Sequence, residues 1–175
     1  MADYVRAFGA GTLRSAKGIA EGVENSNYLV ETDKGRFILT VYEKRVDTKD
    51  LPFFLGMIDH LVAKGCPVPA ALKTAQGEGT ITRQGKAMAM MEFMPGLSVT
   101  HPTASQARAT GQVLGQLHQA LTDFPMNRPN ALGPEGWYAL ADKCGEDLDQ
   151  IQPGLRARVA QECTYIRAHW PQDLP

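Results

Sequence analysis

Residues 13–45, LRSAKGIAEGVENSNYLVETDKGRFILTVYEKR, decide the fold. Two runs within them, Asn27-Tyr-Leu-Val-Glu-Thr and Arg36-Phe-Ile-Leu-Thr-Val-Tyr, are rich in the aromatic and β-branched side chains that suit a pleated, half-buried surface. Between them stands Asp33-Lys34-Gly35, a three-residue turn closing on glycine, so the pair predicts an antiparallel hairpin. Residues 13–19 predict a third strand, joined to the hairpin by Ala20-Glu-Gly-Val-Glu-Asn. Gly22 in that loop permits close approach of the backbone to a bound group, and strand, loop and returning strand have the shape of a flap over a polyphosphate. Gly18 and Gly22 form no G-x-G-x-x-G fingerprint, however, so spacing alone leaves a plain turn residue standing beside the phosphate flap.

Downstream, the charged residues 43–50 lead into a predicted helix over 50–64, with Asp50 at its N-cap and Pro52 in the first turn, where a missing N–H costs nothing. Phe54, Met57, Ile58, Leu61 and Val62 recur at three- and four-residue steps and predict an apolar face packed on the sheet, with Gly65 ending the helix. Pro67 and Pro69 hold the next residues extended and lead to a further strand. A second hairpin follows, turning at Gln84-Gly85-Lys86, and the methionines of its last strand, Met88, Met90 and Met91, read as core. Pro95 and Gly96 then break the pairing and make a hinge.

The remainder reads as helical. Residues 103–121 predict a helix capped by Thr103, with Ala107, Thr110, Val113, Leu114, Leu117 and Leu121 as a buried stripe and His118 hydrogen-bonded to a neighbouring backbone group. Two more helices are predicted over 137–144 and 153–170, the second with Leu155, Val159, Cys163, Ile166 and Trp170 on one face. Asp142, Glu146, Asp147 and Asp149 read as a solvated helix end, because no histidine or further carboxylate follows at ligand spacing. The fold class is therefore α+β, a five-stranded antiparallel sheet with one packed helix followed by helices alone.

Composition narrows the partners. Hydrophobic residues make up 43% and charged residues 21%, the balance of a soluble globular chain, and a net charge of −1 gives no basic footprint for nucleic acid or an anionic membrane. The three cysteines, Cys66, Cys144 and Cys163, have no C-x-x-C spacing and suggest free thiols. No apolar run reaches the ~20 residues of a membrane span, and the first residues have no leader pattern, so a cytoplasmic protein is expected.

The runs KGIAEGVENSNYLVET, GRFILTVYEKR and DLPFFLGMIDHLVAKGCPVP resemble the amino-terminal lobe of homoserine kinases of the aminoglycoside phosphotransferase and choline kinase superfamily, nearly continuously from Thr12 onward. That resemblance implies a protein-kinase-like fold, with a nucleotide-binding lobe over residues 1–93 and a hinge with an incomplete helical lobe over 94–175. It implies transfer of the γ-phosphate of ATP to the hydroxyl of L-homoserine, a step toward threonine, with Mg²⁺ ligands expected beyond the last residue. Gly22, Asn25, Ser26 and Asn27 would then cover the phosphates. Ile38 and Met91 would line the adenine slot, beneath the backbone of Glu92 and Met94.

Several positions depart from the family pattern. Thr40 stands where a strand lysine or arginine is usual, Lys44 lies four residues on, and Phe54 replaces the helix glutamate that pairs with that cation. The catalytic segment His-Gly/Ala-Asp-Leu-x-x-x-Asn and the later metal aspartate do not occur, and Asp123 with Asn127 is a poor match in the wrong context. No catalytic residue or metal ligand is assigned, and the chain reads as a carboxy-terminally truncated homoserine kinase, a fragment or the product of a broken gene, inactive by itself. Two alternatives remain: another small-molecule kinase of the superfamily, of choline or aminoglycoside type, and a non-catalytic fragment or nucleotide-binding module.

Overall fold

The computed structural model describes residues 1–20, 25–43, 48–130 and 132–171. Gly22 and Lys44 lie outside the described residues. A short helix α1 (Ala2–Ala7) leads into β1 (Leu13–Ile19), β2 (Asn25–Thr32) and β3 (Arg36–Tyr42), then a turn of 3-10 helix (Thr48–Asp50) and α2 (Leu51–Ala63). The second hairpin is β4 (Ile81–Arg83) and β5 (Lys86–Glu92). All five strands form one sheet in the order β1-β2-β3-β5-β4, every neighbouring pair antiparallel. The extended residues after Pro69 add to its edge: Ala71 bridges Met91, Leu72 N–H donates to Met90 O, and Glu92 N–H donates to Ala70 O.

Register sorts the side chains onto two faces, because residues opposite one another across a ladder point the same way and alternate along each strand. One face carries Val30, Leu39, Val41, Met88 and Met90, all buried, and it is covered by Val5 of α1 with Phe8 and Ala10 just after it. The sequence reading did not foresee α1, which is only six residues long and too short for a periodic signal. Its exit is pinned to the β2–β3 turn. Thr12 N–H donates to the Asp33 carboxylate at 2.6 Å, Lys34 Nζ reaches Gly9 O at 2.9 Å, and the bond from Thr12 holds the Asp33 pKa below the usual carboxylate value. Gly11 makes this approach possible: its φ is +96°, and an added Cβ would run into the Asp33 carboxylate.

The deepest residues of α2 are Leu51, Leu55 and Leu61, whereas Phe54, Met57 and Ile58 are half-buried and Val62 is exposed. The expected stripe is thus rotated. Apolar residues stand nearly all round this helix, and periodicity in such a segment does not single out one face. Leu55 lies against Gly79, and Phe124 and Met126 lie against Gly56. Gly65, at φ +73°, ends α2 in a Schellman motif, with Gly65 N–H donating to Val62 O and Cys66 N–H to Leu61 O.

The chain divides into two compact units, residues 1–127 and 128–175. The sheet ends at Glu92, next to the expected lobe boundary at 93/94, but compactness carries the first unit further because the end of the next helix, α3 (Ala104–Ala120), is tied to α2. Lys64 Nζ meets the Asp123 carboxylate at 2.6 Å, His60 Nε2 lies 3.0 Å from both Asp123 Oδ1 and Ala120 O, and the Phe53 and Phe124 rings meet edge to face. α3 has a full capping box between Thr103 and Gln106, as its N-cap reading required. Its predicted stripe is not buried: Ala107, Thr110 and Leu114 are exposed and only Val113, Leu117 and Leu121 are half-covered, because no described element of the first unit packs over the amino-terminal half of the helix. His118 is exposed, and its ring makes no hydrogen bond among the described residues.

The second unit consists of α4 (Pro134–Cys144), α5 (Asp147–Ile151) and α6 (Leu155–His169). On α6 only Leu155, Val159, Cys163 and Ile166 are half-covered, the face that periodicity predicts, while Trp170 just beyond is exposed. The acidic group is held by hydrogen bonds: Asp149 accepts from Arg156 N–H, and Glu146 pairs with the Arg156 guanidinium at 3.4 Å. Among the described residues no helix is long and apolar enough to cross a membrane.

Candidate functional site

The sheet face opposite α1 is lined by Lys17, Ile19, Asn27, Leu29, Ile38, Thr40, Ala89 and Met91. At one end it opens into a cleft of about 410 Å³ bordered by Lys17, Gly18, Ile19, Ala20, Leu29 and Phe93. The cross-strand row Lys17, Leu29, Ile38 and Met91 makes an apolar bed with one ammonium at its rim. Such a bed suits a flat heterocycle, since ligand sites are mostly apolar with a few placed polar groups. Ile38 and Met91, predicted as adenine lining, are direct partners across β3 and β5.

The border at Phe93 fixes which backbone groups are left for a ligand. Glu92 N–H is donated to Ala70 O at 2.9 Å and Phe93 N–H to Arg36 O at 3.3 Å, whereas Met94 N–H has no backbone acceptor among the described residues. Of the predicted hinge donors, Met94 is therefore the one open to a base edge, because a carbonyl-bound N–H offers nothing further. The Arg36 guanidinium lies 4.5 Å from the centroid of the Phe93 ring and stiffens this border by a cation–π contact.

Away from Phe93 the face becomes polar and neutral. Asn27 precedes Leu29 by two residues and Asn25 precedes it by four, so both stand on the cleft side, in line toward the start of β2. Thr40, the partner of Asn27, donates its hydroxyl to Asn27 Oδ1 at 2.8 Å. Among the described residues Asn25 Oδ1 is buried without a hydrogen-bond partner, and its cross-strand partner Tyr42 has its phenol pKa raised by burial. Ser26 points the other way. Its hydroxyl donates to Glu43 at 2.9 Å, and Glu43 also pairs with Lys86 at 2.6 Å, contacts that hold the Glu43 pKa below its ordinary value. Three consecutive strand residues cannot share a face, so of the predicted Asn25, Ser26 and Asn27 only the two asparagines stand together on the cleft side.

Asp123 is occupied elsewhere. Lys64, and after it His60, hold its carboxyl below the usual range, and it acts as a clamp between α2 and the end of α3. Sequence reasoning missed Lys17 and Phe93 as lining residues; the alternation that places Leu29 and Ile38 together also places Lys17 beside them and was the signal available.

Comparison with known proteins places this geometry in a family. The profile of a phosphotransferase enzyme family matches residues 15–175. The chain is 47% identical over 167 residues to a homoserine kinase of Zymomonas mobilis, covering 95% of this chain and 52% of that protein. It is 45% identical over 172 residues to one of Rhizobium meliloti, covering 98% and 53%. The chain thus spans about half the length of the curated relatives it matches. Among solved structures, a spectinomycin phosphotransferase in complex with ADP and spectinomycin superposes with a TM-score of 0.60 at 13% identity, over 91% of this chain and 51% of that one. A microcompartment-associated aminopropanol kinase superposes at 0.53 and 16% identity, over 85% and 56%. These structures share the protein-kinase-like arrangement of an antiparallel sheet with helices, and the chain belongs to the phosphotransferase enzyme family.

Proposed function

We propose that this chain is the nucleotide-binding portion of a homoserine kinase, which passes the γ-phosphate of ATP to the side-chain hydroxyl of L-homoserine. The observation that carries the reading is the 47% identity to a homoserine kinase across 95% of the chain. The cleft supports it. Leu29, Ile38 and Met91 would bed the adenine, Met94 N–H with the Glu92 backbone would meet its edge, and Asn25 and Asn27 would face the phosphates; Gly22, outside the described residues, belongs to the same phosphate cover by the sequence reading. Lobes divided at 93/94 and a cytoplasmic location belong to the same reading.

ATP fits the donor set, but Mg²⁺ lacks a place in it: among the described residues no three histidine, cysteine or acidic side chains gather to hold a metal ion. The chain's own residues bind and orient the nucleotide, and none of them is assigned to the attacking hydroxyl. Phosphoryl transfer depends on positioning and charge stabilisation, so losing both forfeits several powers of ten in rate.

The test joins residues 1–175 to the remaining portion of the Zymomonas mobilis enzyme and follows ATP-dependent phosphorylation by phosphorus NMR. The chimera is expected to phosphorylate L-homoserine, and the 175-residue chain alone to give no signal above background. A chimera that phosphorylates choline or an aminoglycoside and ignores homoserine would overturn the substrate; turnover by the short chain would overturn the assignment of residues.

A further inference from the structure

We infer that Thr40 is a positioning residue, which turns the amide NH₂ of Asn27 toward the phosphates of a nucleotide in the cleft. The inference rests on the nucleotide reading of that cleft. Past Leu29 and Ile38, the described side chains on this face are Ile19, Asn27, Thr40, Ala89, Asn25 and Tyr42, and none of them is a cation. What these described side chains offer a polyphosphate there is neutral donors. A carboxamide is a donor on one side and an acceptor on the other, and an acceptor turned to a phosphate repels it. In this structure the Thr40 hydroxyl donates to Asn27 Oδ1 at 2.8 Å, so the oxygen is engaged along the sheet and the NH₂ group faces away from Thr40. The two residues are direct cross-strand partners, both half-buried, which limits other rotamers.

The Asn27 NH₂ has no acceptor among the described residues, while Ile19, its partner on β1, borders the cleft. The pair thus supplies a fixed, uncharged donor one step beyond the apolar bed. A hydrogen bond to a charged acceptor is among the stronger ones in proteins, so losing its alignment weakens binding by about tenfold.

The experiment is a titration of the full 175-residue chain, labelled with nitrogen-15, with ATP and separately with adenosine. The Asn27 side-chain resonances are assigned by their loss in Asn27→Asp. ATP is expected to shift them and adenosine to leave them in place, while both shift Leu29 and Phe93. Thr40→Val is expected to bind ATP about tenfold more weakly, with adenosine affinity unchanged, and Thr40→Ser to restore ATP binding. Asn27→Asp, which keeps the Thr40 bond but replaces the donor by a carboxylate, is expected to lose ATP selectively even if Thr40→Val does not fold. Equal loss of ATP and adenosine in these variants, parent-like ATP binding, or Asn27 resonances unmoved by ATP would overturn the inference and leave the cleft as a nucleotide site. No shift at Leu29 or Phe93 with either ligand would overturn both.

Discussion

The sheet face under α1 and the exposed side of α3 are both written in apolar residues, yet one is finished and the other is not. Val30, Leu39 and Met90 have no exposed surface, whereas no residue of α3 or α6 is buried and Leu114 is 51% exposed. The sheet closes its core with residues from within its own first 92, through ladders and a six-residue helix. The helices depend for stability on burial of an apolar stripe, and a stripe only half-covered contributes correspondingly less.

The largest expected effect sharpens that contrast. Leu39→Ala empties the centre of the sheet core and should cost about 2–5 kcal/mol, against a change within about 0.5 kcal/mol for Leu114→Ala on α3; urea unfolding followed by far-ultraviolet circular dichroism compares them. Equal costs would break the comparison. A smaller effect is expected at the start of α3, where local bonds rather than packing hold the first turn. Thr103→Ala removes the capping box and should cost about 1 kcal/mol, seen as faster amide exchange at Gln106 and its neighbours. The smallest concerns the clamp at the end of α3. The Asp123 pKa is depressed below 3.8 by Lys64 and His60, so its contribution is present above that value and lost as pH falls through the folded-state pKa. Asp123→Asn should therefore flatten the loss of stability between the unfolded value and the lower folded one, and an unaltered acid limb would show that the clamp contributes nothing.

What could be read in advance followed the range of the forces involved. The β1 and β3 bounds and the turns at Gly35 and Gly85 depend on neighbours in sequence, and they stand where the residues placed them. The face of α2 depends on what packs against it: Leu51 and Leu55 lie deeper than the predicted Phe54, and Gly79 lies against Leu55. At the site, Ile38 and Met91 were legible as cross-strand neighbours, since strand alternation is local. That Ser26 turns to Glu43 while Asn27 takes Thr40 depends on which face α1 covers, and α1 left no periodic mark.

Trp137 and Trp170, the chain's two tryptophans, meet edge to face with ring centroids 5.3 Å apart, and both belong to the unit over residues 128–175. Indole emission therefore reports on that unit and is silent about the sheet, whose chromophores are tyrosines and phenylalanines. A denaturation curve recorded by tryptophan fluorescence would follow the separation of this one ring pair, whereas tyrosine emission mixes Tyr4, Tyr28 and Tyr42 of the first unit with Tyr138 and Tyr165 of the second, so the second unit alone carries an optical label of its own.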